Sequence, residues 1–242
     1  MGIAGGGFLL TIPSPAQIVT DFVVKLPSGD GTRPVVVEPM REEHARCWQT
    51  LVQPEIDSSA GRAYKDWRWR RIFGLTGLTR LLGQRPSAFA LCVRDVRAGD
   101  WNFLPCTMTA LVESYPAVDD PAAKSVFLWF LSAAPGPVLA RFLGSFPPKL
   151  LGTAGLDIAR TRSFLRQFQG RVGLHADAGG GDQLVRWYEQ QGMTRLPAQA
   201  PAISPVRPND GRYFYYTPPA ALSAHIKLDP FRPEGARIRG GN

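Results

Sequence analysis

Apolar residues in this chain fall into short runs cut by glycine and proline, the pattern of many short elements rather than of a helix bundle. Val35–Glu38 is a β-branched run and predicts a strand. Arg41–Leu51 predicts a helix, with Ala45, Trp48 and Leu51 on one stripe. Arg62–Arg85 interleaves arginines and Lys65 with Tyr64, Trp67, Trp69 and Phe73, and predicts a helix broken near Gly74–Gly77, either amphipathic with its aromatics buried or a nucleic-acid surface of phosphate contacts and base stacking. Ala88–Arg94, Cys106–Glu113 and Ser125–Ala133 predict an antiparallel meander. Val126–Leu131 is apolar throughout, which puts the third of these strands at the centre of the sheet with both faces covered.

Beyond a Pro- and Gly-bounded insertion, 135–148, apolar residues at Ala154, Ile158, Leu165 and Phe168 predict a helix over Gly152–Gln169. Val172–Ala176 reads as a strand. Asp182 is placed to cap a helix Gln183–Gln191, and Gly192 to end it in a left-handed turn. Arg195–Ala202 and Arg212–Thr217 then predict a terminal hairpin, with Asn209-Asp210-Gly211 supplying turn chemistry. The expected organisation is an N-terminal extension (1–34), one domain (35–217) and a loose basic tail (218–242).

Composition changes this picture little: 44% hydrophobic and 20% charged residues are ordinary for a soluble globular protein. The net charge of +8 favours phosphate-bearing partners, on a cofactor, a nucleic acid or an anionic membrane, without choosing among them. Cys47, Cys92 and Cys106 have no metal-ligand spacing and His44, His175 and His225 lie far apart, so no metal site is expected. No apolar stretch is long enough to span a bilayer and the N-terminus fits a secretory signal poorly, so a cytoplasmic protein is expected.

Two motifs carry chemistry. The first is Lys149-Leu150-Leu151-Gly152-Thr153-Ala154, a small-residue turn opening a helix after an apolar strand. A helix N-terminus offers unpaired N–H groups and the positive end of a dipole, and so suits a diphosphate. The second is Leu184-Val-Arg-Trp-Tyr188-Glu-Gln-Gln-Gly192-Met193, following the strand that ends at Ala176. Together they resemble the GNAT superfamily of N-acetyltransferases over roughly Val35–Thr217.

That resemblance implies an α/β (α+β) fold: a mixed, twisted central sheet with a splayed parallel strand pair and helices on both faces. It implies acetyl-CoA as cosubstrate, with its diphosphate on Lys149–Ala154 and its pantetheine arm in the gap between Ser125–Ala133 and Val172–Ala176. An oxyanion donor near Leu131, Ser132 and Ala133 and a general acid at Tyr188 follow from it as well. The strand Val126–Ala134 lacks a carboxylate, so Glu113 is the first candidate for general base and His175 the second. The chain departs from the family pattern at the insertion, at Leu151 where glycine is usual, and at Gly181 where asparagine is frequent. The acceptor is expected to be an amine of a small molecule, a protein or RNA. The alternatives are a toxin-like enzyme acting on RNA or aminoacyl-tRNA, and a non-catalytic binding module on the same scaffold. No membrane partner is expected, and the oligomeric state is left open, a homodimer being one arrangement.

Overall fold

The computed structural model describes residues 22–29, 31–59, 62–81, 85–201 and 209–233. Eight strands form one sheet in the order β1-β2-β3-β4-β5-β6-β8-β7. They are β1 (Phe22–Ser28), β2 (Gly31–Pro39), β3 (Arg85–Ala98), β4 (Trp101–Pro116), β5 (Lys124–Ala133), β6 (Val172–His175), β7 (Thr194–Arg195) and β8 (Tyr213–Tyr216). Every neighbouring pair is antiparallel except β5 and β6, which run parallel, with Val126 opposite Val172 and Leu128 opposite Leu174. Helices α1 (Glu42–Leu51), α2 (Gln53–Ser58), α3 (Trp69–Leu81), α4 (Gly136–Leu143), α5 (Leu151–Leu165), α6 (Gly181–Gln190) and α7 (Pro218–Ile226) complete the described elements.

Neighbouring residues of β5 show that both faces of the sheet are covered. The Phe130 ring meets Trp67 and Trp69 at the start of α3. Leu131 faces α5, where a Cβ on Gly155 would come within 2.4 Å of its Cδ1. That approach is closer than any side chain allows, so glycine at 155 is what seats α5 directly on the strand. The mixed sheet, its parallel pair and the helices on both faces meet the fold expectation. The three thiols are free and buried, and burial pushes those of Cys47 and Cys106 up to about 12.

The ends of the domain differ from expectation. Residues 22–34, assigned to an extension, supply β1 and the start of β2, paired from Phe22↔Val37 to Ser28↔Gly31. Pro27–Pro34 had the composition of a linker, yet Gly29 and Gly31 turn the chain back into a hairpin. Residues 1–21 of that extension lie outside the described residues.

The tail likewise docks instead of hanging loose. Ala221, His225, Leu228 and Arg232 are buried, and α7 packs on α5. This explains why α5 is buried almost all round, although its sequence shows a single apolar stripe. One side meets the sheet, and the other presents Asp157 and Arg160 to the tail. Asp157 accepts from Arg160 (3.0 Å) and Arg232, and its carboxyl lies 2.8 Å from His225 Nδ1. Arg160 continues to the Tyr216 hydroxyl at 2.8 Å, which donates to Gln191 O at the end of α6. Buried charges are tolerated because each has an opposite charge and hydrogen bonds. A period-based reading misses this, because the covering surface is polar. The last part of the tail, 234–242, lies outside the described residues.

Smaller differences are local. Helix α3 runs unbroken through Gly74 and Gly77, and the basic, aromatic stretch before it is a series of turns. Asp182 sits in the first turn of α6 without capping it; Gly180 holds the N-cap position. Gly192 does adopt the left-handed conformation, at φ 85°. The insertion 135–148 contains α4, whose Val138, Leu139 and Leu143 are buried.

Candidate active site

Between β5 and β6 the sheet opens. Their ladder ends at Leu128↔Leu174, while on its other edge β5 stays paired with β4 as far as Ala133↔Thr107. The cause is a bulge. Ala110 pairs with Phe130 but Leu111 with Leu128, which leaves Trp129 as an extra residue on β5. A bulge bends its strand, increases the local twist and re-aims side chains. Here it brings the rings of Trp129 and Phe130 within 6.4 Å and leaves the β5 edge beyond Leu128 without a ladder partner among the described residues.

A cleft of about 460 Å³ fills the opening. Leu128–Leu131 form one wall, Leu174 and His175 the other, and Tyr188 reaches it from α6. The Tyr188 ring packs on Phe214 (5.3 Å) and Trp187 (5.0 Å), and burial pushes its phenol well above the usual range.

The helix after the insertion returns to this opening. Lys149 N–H donates to Pro27 O at 2.8 Å, and Thr107 Oγ1 donates to Leu151 O at 3.3 Å. Thr107 pairs with Ala133, so the start of α5 lies beside the end of β5 although residues 134–150 intervene, part of them folded as α4. Leu150, at the N-cap, is left-handed at φ 59°. Ala154 donates the first helical bond, to Leu150 O at 2.8 Å, so the N–H groups of Leu151, Gly152 and Thr153 precede the helical ladder. Lys149 and Leu150 are exposed, and Thr153 is half-buried. The space over Gly152 is not open, because Trp187 Cζ2 stands 3.0 Å from where a Cβ would be. Glycine here accommodates the indole beside Tyr188 and thereby joins α5 to α6. Ser132 is buried, its Oγ without a hydrogen-bond partner among the described residues, while Leu131 and Ala133 are half-buried.

The two expected bases part company. Glu113 pairs opposite Val126, toward the closed end of the β5–β6 pair. It accepts from Ser87 (2.8 Å), Arg162 (2.6 Å) and Arg166, with 2% exposure. Burial alone would raise its carboxyl, but Ser87 and the two arginines outweigh that and hold it below the usual carboxylate range. His175, in contrast, lines the cleft. Its Nε2 is 3.0 Å from Asp210 Oδ1 and its ring stacks obliquely on Tyr213 at 4.5 Å. Burial acts to raise Asp210, yet the interaction with His175 and a hydrogen bond from Arg212 N–H hold it low.

Sequence reasoning missed four further groups at the cleft: Tyr64, Trp67, Asp177 and Asp210. Asp210 had been read only as turn chemistry, and Asp177 only as the start of a loop. Tyr64 and Trp67 lie in a stretch whose pattern predicts a helix with its rings buried or stacking on nucleic acid, not a turn beside the sheet opening.

A second polar cluster lies in the core. Donor atoms of Glu38, His44 and Cys92 fall within 4.8 Å of one another. Nδ1 of His44 accepts the Arg41 backbone N–H at 3.0 Å, which puts the ring proton on Nε2, the nitrogen that faces Glu38. Arg41 and Arg94 also pair with Glu38. Two guanidinium groups bonded to Glu38 and a ring proton on Nε2 oppose a bound cation there.

No family model and no curated protein matches the sequence. Solved structures do resemble it. A tyrosine-to-phenylalanine mutant of the AtaT toxin, bound to the C-terminus of the antitoxin AtaR and acetyl-CoA, aligns with 81% of this chain and 98% of its own, at 12% identity and a TM-score of 0.44. A GNAT-family acetyltransferase from Staphylococcus aureus Mu50 aligns with 76% of this chain and 99% of its own, at 10% identity and a TM-score of 0.45. Independently of these likenesses, the chain's own strand order, parallel pair and helix placement give it the architecture that its resemblance to the GNAT superfamily implied.

Proposed function

We propose that this protein transfers an acetyl group from acetyl-CoA to an amine. The observation that carries this proposal is the opening between β5 and β6, with Tyr188 at its wall and the start of α5 beside its edge. The unpartnered edge of β5 suits the amides of a pantetheine arm, and the N–H groups of Leu151–Thr153 with Lys149 suit a diphosphate. The small space over Gly152 directs that contact to the backbone N–H groups and the exposed Lys149 side.

In the reaction, the amine nitrogen bonds to the thioester carbonyl carbon and the C–S bond breaks. An ammonium acceptor loses its proton first, and His175 is the group at the cleft suited to take it. With Nε2–H turned to Asp210, Nδ1 carries the free lone pair. Glu113 is spent on two arginines and serves the fold. A backbone N–H near Leu131–Ala133 stabilises the charge on the carbonyl oxygen. Tyr188 donates its phenolic proton to the departing sulfur; its raised pKa keeps that proton in place until charge builds there. After attack the nitrogen carries two protons: one stays on the amide product, and the other is released and can reprotonate the tyrosinate through solvent, while His175 returns its proton to solvent.

The test is coenzyme A binding followed by melting temperature and calorimetry. A ligand that binds only the folded state raises the melting temperature. Gly152→Asp should abolish that rise. Gly152→Ala is the control, since any Cβ presses on Trp187 but only aspartate adds charge. A melting curve unmoved by saturating coenzyme A would favour a non-catalytic module.

A further inference from the structure

The walls of the cleft carry a charge pattern opposite to that of the protein. The chain has a net charge of +8, yet among the described residues lining the cleft the charged side chains are Asp177 and Asp210, both acidic. Of the nearby arginines, Arg62 stands close enough to Tyr64 to act on its phenol but is not among the described residues that line the cleft. Arg212 donates to the backbone oxygens of Ala176 and Asp177. Arg68, Arg70 and Arg71 line a separate groove beside α1. The remaining walls are aromatic and aliphatic in equal measure: Trp67 stands edge-on to Phe130 at 4.9 Å and 5.3 Å from Tyr64, and Trp129 follows on β5.

We propose that the acceptor is a monocationic primary amine on an aromatic or alkyl body, its ammonium held toward Asp177 and Asp210 and its body against Trp67, Trp129 and Phe130. This assignment deepens the acetyl transfer proposed above and rests on it. Aromatic faces attract cations, and they accept apolar surface equally well. Carboxylates in a partly desolvated cleft attract an ammonium group and repel phosphate. The acceptor therefore enters charged, close to His175, where its proton must be removed. A phosphate-bearing acceptor such as RNA would have to bring its anionic backbone past two aspartates.

The test uses the full chain and the fluorescence of its tryptophans. The probes are 2-phenylethylammonium chloride, its anionic analogue 3-phenylpropionate, and a short single-stranded RNA. Coenzyme A binding is measured in parallel on the same samples. The ammonium probe should bind at least tenfold more tightly than the carboxylate. Asp177→Asn should weaken it several-fold while leaving coenzyme A binding unchanged. Asparagine keeps the acceptor that receives Gly179 N–H at 2.7 Å, so the local turn survives and only the charge is lost. Equal or tighter binding of the anionic probe or the RNA would overturn the proposal, as would an ammonium affinity indifferent to Asp177→Asn. Coenzyme A binding without ammonium binding would sink the acceptor class alone. Ammonium binding without coenzyme A binding would sink acetyl transfer and leave the cation site standing.

Discussion

Tyr188 shows what a single hydroxyl can be asked to do. Its ring is fixed by Phe214 and Trp187, so Tyr188→Phe should keep the packing and leave the melting temperature within a degree or two. Turnover should fall, because a general acid contributes about 10²–10⁴-fold to rate. Steady-state kinetics and a coenzyme A titration on the same variant check this. A fall in affinity in place of turnover would make the hydroxyl a binding group. The residue itself was legible in the sequence, because its motif is long and ordered. Trp67 and Asp177 were not, because they reach the cleft from turns whose geometry has no sequence period. Tyr64 is the clearest case: it lines the cleft from a left-handed backbone, φ 60°, which no local pattern announces for a bulky aromatic residue.

At the scale of elements, the contact between α5 and the C-terminal segment is the least expected and the most exposed to test. Arg232 pairs with both Asp157 and Asp229, and all three lie inside the molecule or near its edge. Removing one partner of a buried ion pair typically costs about 3–5 kcal/mol. Arg232→Ala should therefore lower the free energy of unfolding by roughly that amount in urea titrations, and truncation after Ser223 by more. An effect below about 1 kcal/mol would mean the segment only rests on α5. Strand identities, by comparison, were readable: β3, β4, β5, β6 and β8 all fall where the apolar runs predicted them. The bulge at Trp129 was hidden inside one of those runs. Val126–Leu131 is apolar at every position, so no alternation existed for an extra residue to interrupt.

Across the whole molecule, acid should act in two stages. His44 is fully buried, and burial, with Arg41 and Arg94 beside it, lowers its pKa from 6.5 to about 4. The unfolded chain takes up this proton below pH 6.5 while the folded chain refuses it until about 4. The stability that comes from keeping His44 neutral is thus complete above pH 6.5 and is lost as pH falls toward 4. By pH 5 the loss should reach about 2 kcal/mol, at 1.36 kcal/mol for each pKa unit. The check is the difference in unfolding free energy between the wild type and His44→Asn at pH 7.5 and pH 5. A difference that does not change with pH would remove His44 from the acid response. Asp157 and Glu113, whose carboxyls are held low by their partners against burial, add their losses only below their ordinary range, near pH 4 and under.

The buried pairing of Asp157 with Arg232 also sets an order in time. The two residues are 75 positions apart, whereas strands β2 to β5 each pair with the strand made just before. At translation rates of roughly 5–20 residues per second, Arg232 is made about 4–15 s after Asp157. During that interval the meander can close and α5 can settle on it through Gly155, but the outer face of the helix waits uncovered, with Asp157 held only by Arg160. A nascent chain paused in this stretch offers that half-finished face to chaperones and to other nascent chains alike.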